Sequence, residues 1–239
     1  MLEKLFANGD GFQSHPPEMA ASLNERAFHV LRDDIVHGRL APGSRLRVEE
    51  LRGTYGFGAT PLREALSRLV ETGLVDAIAQ RGFRVAPVSQ ADLDDVTEHR
   101  IALEVLALRD SMDHRDSAWE ATVVSSHYLL ARAEEALIDL TSSAFNAYER
   151  CNRNFHEALV GACSSRWTLR FRAQIYAQHE RYRRISMSVA PGRTVDVREE
   201  HRSIQEAAIR GDTAATCDLT AQHILRTVRD IRAHLPRSK

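Results

Sequence analysis

Cysteine is scarce in this 239-residue chain: three residues, at positions 151, 163 and 217, with no CxxC spacing. An odd number of scattered thiols and no secretory signal favour free thiols and a reducing cytoplasm over a disulfide framework. No apolar run approaches the roughly 20 residues that cross a bilayer, so no membrane helix is expected. The first 20 residues hold Gly9, Gly11, Pro16 and Pro17 in a mixed composition and read as a mobile tail. Net charge is −1, so no global field draws the chain to nucleic acid. Neither GxSxG nor HExxH occurs, and there is no internal repeat. What remains is 43% apolar and 27% charged, an ordinary globular composition, long enough for one large domain or two smaller ones.

The distribution says more than the totals. Residues 21–88 carry ten Arg against eight Asp and Glu, a net of +2, while residues 1–20 sum to −2 and residues 89–239 to −1. Inside the positive segment lies Gly58-Ala59-Thr60-Pro61-Leu62-Arg63-Glu64-Ala65-Leu66-Ser67-Arg68-Leu69. Leu62, Leu66 and Leu69 recur at helical spacing. Gly58 or Thr60 can cap the start, Pro61 suits the first turn, and Gly73 can close the end. Thr60, Arg63, Glu64 and Ser67 then share the opposite face. A small, polar, cationic face of this kind suits a DNA major groove, or else the surface of an ordinary amphipathic helix.

The flanks narrow the choice. Ala27, Val30, Leu31 and Ile35 predict a helix from Asn24 to about His37, with Asn24 as cap. Pro42 and Gly43 mark a turn, Arg45–Val48 a short strand, and Glu49–Tyr55 a short helix. Beyond the Gly58 helix, residues 74–78 and 83–85 alternate around Gln80-Arg81-Gly82 and predict a hairpin. Three helices and a hairpin in about 65 residues are the order of a winged helix-turn-helix, with Arg81 and Gly82 at the wing tip.

Residues 28–88 resemble the DNA-binding domain of GntR-type bacterial transcription factors. The resemblance rests on Ile35, Gly38, Leu40, Pro42, Gly43 and Leu46, then Thr60-Pro61-Leu62-Arg63-Glu64-Ala65-Leu66, Arg68-Leu69 and Gly73-Leu74-Val75, then Arg81-Gly82-Phe83-Arg84-Val85. It implies DNA contacts by Arg45, Thr60, Pro61, Arg63, Ser67, Arg81 and Gly82, with Arg63 on phosphate and Thr60 at base edges. A Ser-Arg pair usual before Thr60 in that family is Gly58-Ala59 here. A lost bidentate arginine–guanine contact is worth about 1–3 kcal/mol of discrimination, so an operator does not carry over from relatives. Arg45, Arg47 and Arg52 lie near enough to compensate.

From Ser89 onward the pattern is helical, with few Gly or Pro. Helices are expected at about 90–112, 116–138, 143–163, 165–188, 195–210 and 212–234, with Ser89 and Asp212 as caps and a break at Ala190-Pro191-Gly192. The fold class is therefore mainly α: a tail (1–20), a winged domain (21–88) and an all-α bundle of about six helices (89–239). Residues 89–232 resemble the FCD effector-binding domain of the FadR branch, through Ser89, Asp92, Asp95, Arg100, Leu103 and Glu104, through Asn152, Phe155, His156 and Leu159, and through Glu200, His201, Ile204, Ala207, Ala208, Gly211, Asp212 and His223.

Asn152 and His156 stand four apart on one helix and share a face. By the resemblance, His156, His201 and His223 fall on three metal-ligand histidines, with Asn152 where a carboxylate is usual. A divalent ion, zinc or nickel, is the implied cofactor; an amide oxygen should hold it more weakly. Arg100 is the candidate grip for a carboxylate effector, or an ion-pair partner of Glu104. With it, Asn152, His156, His201 and His223 make the expected effector site. Arg181-Tyr182-Arg183-Arg184 reads as a solvated face, and Glu157 and Glu200 as side chains turned away from the ligands. The resemblance implies a cytoplasmic homodimeric regulator, more often a repressor released by its ligand, on a palindromic operator. A metal-sensing regulator and a metal-dependent all-α enzyme with a DNA-binding domain are the alternatives.

Overall fold

The computed structural model describes residues 22–79, 81–137, 142–189 and 194–232. The expected N-terminal tail, Gln80 of the wing and the Ala190-Pro191-Gly192 break lie outside these. Helix α1 spans Leu23–Val36. Its cap is Ser22, whose hydroxyl accepts from the Glu25 amide, two residues earlier than the Asn24 expected. Asn24 instead donates its amide to Glu64. Strand β1 is only Arg45–Leu46, because helix α2 (Val48–Tyr55) already begins at Val48. Helix α3 follows at Ala59–Glu71, capped by the Gly58 backbone. Strands β2 (Val75–Ile78) and β3 (Gly82–Val85) pair antiparallel, and β1 adds to the far side of β3, giving the order β1-β3-β2. Gly82 opens β3 opposite Ile78 with φ +88°, a left-handed conformation natural to glycine.

This unit owns a core. Ala27, Leu31 and Ile35 of α1, Leu51 of α2, Leu62, Leu66 and Leu69 of α3, and Leu46, Leu74, Val75 and Val85 around the sheet are buried together. Burial of each large aliphatic side chain stabilises by about 1.5–3 kcal/mol, ample to hold three short helices on a small sheet.

The remaining described residues form six helices: α4 (Gln90–Asp113), α5 (Ser117–Ala136), α6 (Ser142–Leu159), α7 (Arg166–Val189), α8 (Thr194–Ile209) and α9 (Thr213–Arg232). The Ser89 and Asp212 caps are in place: Ser89 Oγ accepts from the Asp92 amide, and Asp212 Oδ1 from the Ala215 amide. A second core gathers Leu108 and Met112 of α4, Val123 and Leu130 of α5, Phe155 and Leu159 of α6, and Ile204 and Ala208 of α8.

Helix α7 touches both units. Gln178 Nε2 donates to the carbonyl of Thr72, the residue that closes α3, at 2.7 Å. Arg181 donates to the carbonyl of Ala86 just past the wing, and Tyr182 to Asp92. The segment 181–184 is therefore not a solvated face. Arg183 pairs with Glu149 at 2.8 Å and Arg184 with Glu180 at 3.3 Å, and all four side chains are largely buried. Arginine density marked a helix that needs cations on the inside, because acidic partners from α6 and α7 itself are buried beside it.

Candidate nucleic-acid interface and metal-ligand cavity

On α3, Leu62, Ala65, Leu66 and Leu69 are buried, while Thr60, Arg63 and Ser67 are exposed and Pro61 is half-buried. The periodicity thus puts the polar face outward. Arg45 on β1 and Arg81 in the wing turn are exposed as well. These three arginines differ from most of their neighbours. Arg47 pairs with Glu50 and Arg52 with Glu49, both at 2.7 Å, and Arg84 pairs with Asp76. Arg45, Arg63 and Arg81 have no ion-pair partner among the described residues. A guanidinium without an internal partner is free to take a phosphate or a base edge. Arg47 and Arg52, suggested as substitutes for the missing reader before Thr60, are already engaged.

In the helical unit, His156 of α6, His201 of α8 and His223 of α9 converge, with one ligand atom of each within 4.8 Å of the others. All three rings are buried. His201 Nδ1 lies 2.6 Å from Glu134 and His223 Nδ1 lies 2.7 Å from Glu200. A neutral imidazole that donates Nδ1–H to a carboxylate keeps its Nε2 lone pair for a cation, and the carboxylate fixes the ring's orientation. Glu200 therefore does not turn away from the ligands; it holds one of them. Glu157 does turn aside, to Arg172 at 2.8 Å. Glu134 was not legible as a ring-orienting partner, since it sits 67 residues from His201 on a different helix.

The fit to a divalent ion rests on atoms left over. Asn152 Oδ1, His156 Nδ1 and His201 Nε2 are buried and have no hydrogen-bond partner among the described residues, although His156 Nδ1 faces Glu104 Oε1 at 3.9 Å. Each is an atom that can ligate. Asn152 Nδ2 donates to the Tyr176 hydroxyl at 3.3 Å, which leaves its oxygen toward other partners. Burial lowers the pKa of His156 well below the ordinary value, with the neighbouring His223 and His201 adding to it. Burial lowers that of His201 too. Both are thus in the neutral form a cation requires.

Arg100 lies beside this cluster and is almost wholly buried. Its Nη2 pairs with Glu104 at 3.1 Å, so the ion-pair reading of the sequence holds. The pair does not use up the arginine. Arg172 takes both oxygens of the same Glu104, at 2.8 and 3.0 Å, and Arg100 Nε and Nη1 have no hydrogen-bond partner among the described residues. The Arg100 guanidinium rests on the Tyr176 ring at 4.1 Å. Burial lowers its pKa to about 10, against the pull of Glu104, which leaves it charged at neutral pH. Tyr176 joins Asn152 to Arg100.

A three-helix unit with a β wing, an outward polar helix face and three unpaired arginines defines a winged helix-turn-helix DNA-binding protein. The chain belongs to the gntR family of bacterial regulatory proteins, in the group that carries an FCD domain: residues 23–85 match the first and residues 95–226 the second. It is 45% identical to the uncharacterized HTH-type transcriptional regulator BphR of Paraburkholderia xenovorans (strain LB400), over 88% of this chain and 86% of that one. It is 31% identical to the HTH-type transcriptional repressor GlaR of Escherichia coli (strain K12), over 84% of this chain and 92% of that one. Its fold is similar to that of E. coli McbR/YncC, with a TM-score of 0.74 at 20% identity over 90% of this chain and 99% of that one. The chain is a transcriptional regulator, as its family and relatives are, which sets the enzyme alternative aside. Among the described residues no helix is long and apolar enough to cross a membrane.

Proposed function

We propose that the protein is a homodimeric repressor of the cytoplasm that leaves a palindromic operator when a small carboxylate binds in its helical domain (residues 89–239). Asn152, His156, His201 and His223 would hold a divalent ion there, zinc or nickel, and Arg100 would receive the acid. A bound ion supplies a fixed positive charge that attracts and orients the acid. The observation that carries the reading is the set of buried, unpartnered polar atoms on Asn152, His156, His201 and Arg100, an arrangement costly to fold empty. The name of GlaR supports repression. Two-fold symmetry follows from the demands of a palindrome.

The residues also offer a route from acid to DNA. Tyr176 contacts Arg100 and Asn152, and Gln178, two residues on, holds the carbonyl that ends α3. An acid that draws Arg100 away from Tyr176 would shift α7 and with it the placement of the DNA-reading helix. The acid needs only a different affinity for the two placements to change operator binding.

Native mass spectrometry of the purified protein tests dimer, ion and co-purified acid together, and a gel-shift assay with promoter DNA tests release. Dimers carrying one ion per chain, and DNA released by an acid, are expected. A monomer or a metal-free dimer insensitive to added zinc would overturn the reading. If DNA affinity follows zinc against a chelator with no acid present, the ion itself is the signal.

A further inference from the structure

Among the described residues, two groups stand out within the unpartnered buried atoms of the helical unit. Asn152 Oδ1, His156 Nδ1 and His201 Nε2 suit a cation. Arg100 Nε, Arg100 Nη1 and His179 Nε2 do not. The guanidinium atoms can only donate. His179 resolves in the same sense. It is buried on α7, and its Nδ1 lies 3.4 Å from Arg183 Nη1. Because an arginine has no acceptor, Nδ1 must be the accepting nitrogen of that contact. A ring that accepts at Nδ1 is neutral and carries its proton on Nε2. Burial, with Arg183 and Arg100 nearby, favours this neutral form by holding the pKa well below its ordinary value.

Three donor nitrogens from two side chains therefore stand buried with no acceptor among the described residues. Glu104 is engaged by Arg172 and by Arg100 Nη2, and Glu149 by Arg183. His179 lies three residues from Tyr176 and four from Arg183, on one face of α7. Arg183, which His179 meets, also donates to the Tyr176 hydroxyl at 3.3 Å, and Arg100 rests on the same Tyr176 ring at 4.1 Å.

We propose that His179 is a specificity residue of the effector site, which together with Arg100 receives a carboxylate of the effector through donors alone. The inference rests on the reading of the helical domain as a carboxylate sensor and adds what that reading lacks: a named partner for the acid away from the ion-binding side chains. A group that accepts from all three donors and brings no hydrogen of its own is an anionic oxygen group, which the sensor reading makes a carboxylate. An amide, an alcohol or an ammonium brings a hydrogen of its own against Arg100 or His179 and is rejected.

The test uses full-length, zinc-loaded protein and calorimetric titration with three probes: butyrate, succinate and butyramide, the last a near-isostere of butyrate with a donor in place of an oxygen. Wild type is expected to bind at least one of the acids and to bind butyramide at least tenfold more weakly than butyrate. His179→Leu should weaken acid binding about tenfold or more, the loss of one hydrogen bond to a charged group. His179→Gln, which keeps an N–H, should stay within a few-fold of wild type, an outcome that packing alone would not produce. Equal acid affinity in His179→Leu and wild type, or equal binding of butyrate and butyramide, overturns the proposal and leaves the sensor reading standing. No binding of either acid to wild type at millimolar concentration overturns the sensor reading itself. Should the leucine variant not fold, the butyrate–butyramide comparison on wild type still decides.

Discussion

At the scale of single residues, the division of labour among arginines carries the functional argument. Exposure of Thr60, Arg63 and Ser67 was legible from the 3.6-residue spacing of Leu62, Leu66 and Leu69 alone. Which cations stay free was not, because pairing depends on the rotamers of Glu49, Glu50 and Asp76. Replacing Arg63 with Ala removes an exposed, unpaired charge. It should weaken DNA binding on every sequence and lower the salt slope of log K by about 0.9, the release of one counterion. Fluorescence anisotropy over a salt series reads this, and an unchanged slope would place Arg63 off the backbone. Asn152→Asp is the second residue-scale test. The unpartnered Oδ1 becomes a charged ligand, so zinc should bind more tightly in competition with a chelator. Equal or weaker binding would put Asn152 outside the ion's reach.

At the scale of elements, the junction of α3 with α7 repays the closest reading. Gly73 was expected from sequence as a helix stop, and its φ of +72° agrees. Its second duty was hidden: a Cβ there would meet Gln178 Nε2 at 3.3 Å. That contact joins residues over a hundred positions apart, and no local spacing announces it. The same blindness made residues 181–184 look solvated, since only packing reveals Glu149 and Glu180 beneath them. Gly73→Ala should destabilise by about 1–3 kcal/mol through backbone strain alone. Gln178→Ala leaves the backbone untouched and removes only the hydrogen bond to the Thr72 carbonyl. If α7 transmits the acid signal, Gln178→Ala should bind the acid as before yet lose much of the acid-dependent change in DNA affinity. Release identical to wild type would show that the coupling runs elsewhere.

At the scale of the whole molecule, acid stability is set by buried histidines. His156, His179 and His201 all have pKa values pushed below the ordinary 6.5 or so, chiefly by burial, and the half-buried His127 shifts the same way. The unfolded chain takes up protons at these positions as pH falls through that value, while the folded chain resists. Stability is therefore fully present above about pH 6.5 and declines below it, each group contributing up to about 1.4 kcal/mol per pH unit. His99 shifts upward through its contacts with Asp95 but is fully exposed, where water screens the effect. Glu200 is shifted downward, by its hydrogen bond and charge contact with His223 against the effect of burial, so its titration lies below this window. The urea midpoint of chelator-treated protein should accordingly fall between pH 7.5 and pH 5.5. Zinc should raise the midpoint at pH 7.5 and do so much less at pH 5.5, because the ion must compete with protons for the same nitrogens. A midpoint that holds steady or rises on acidification would mean that the buried rings are charged in the folded state, and a charged His156 or His201 could not hold the ion.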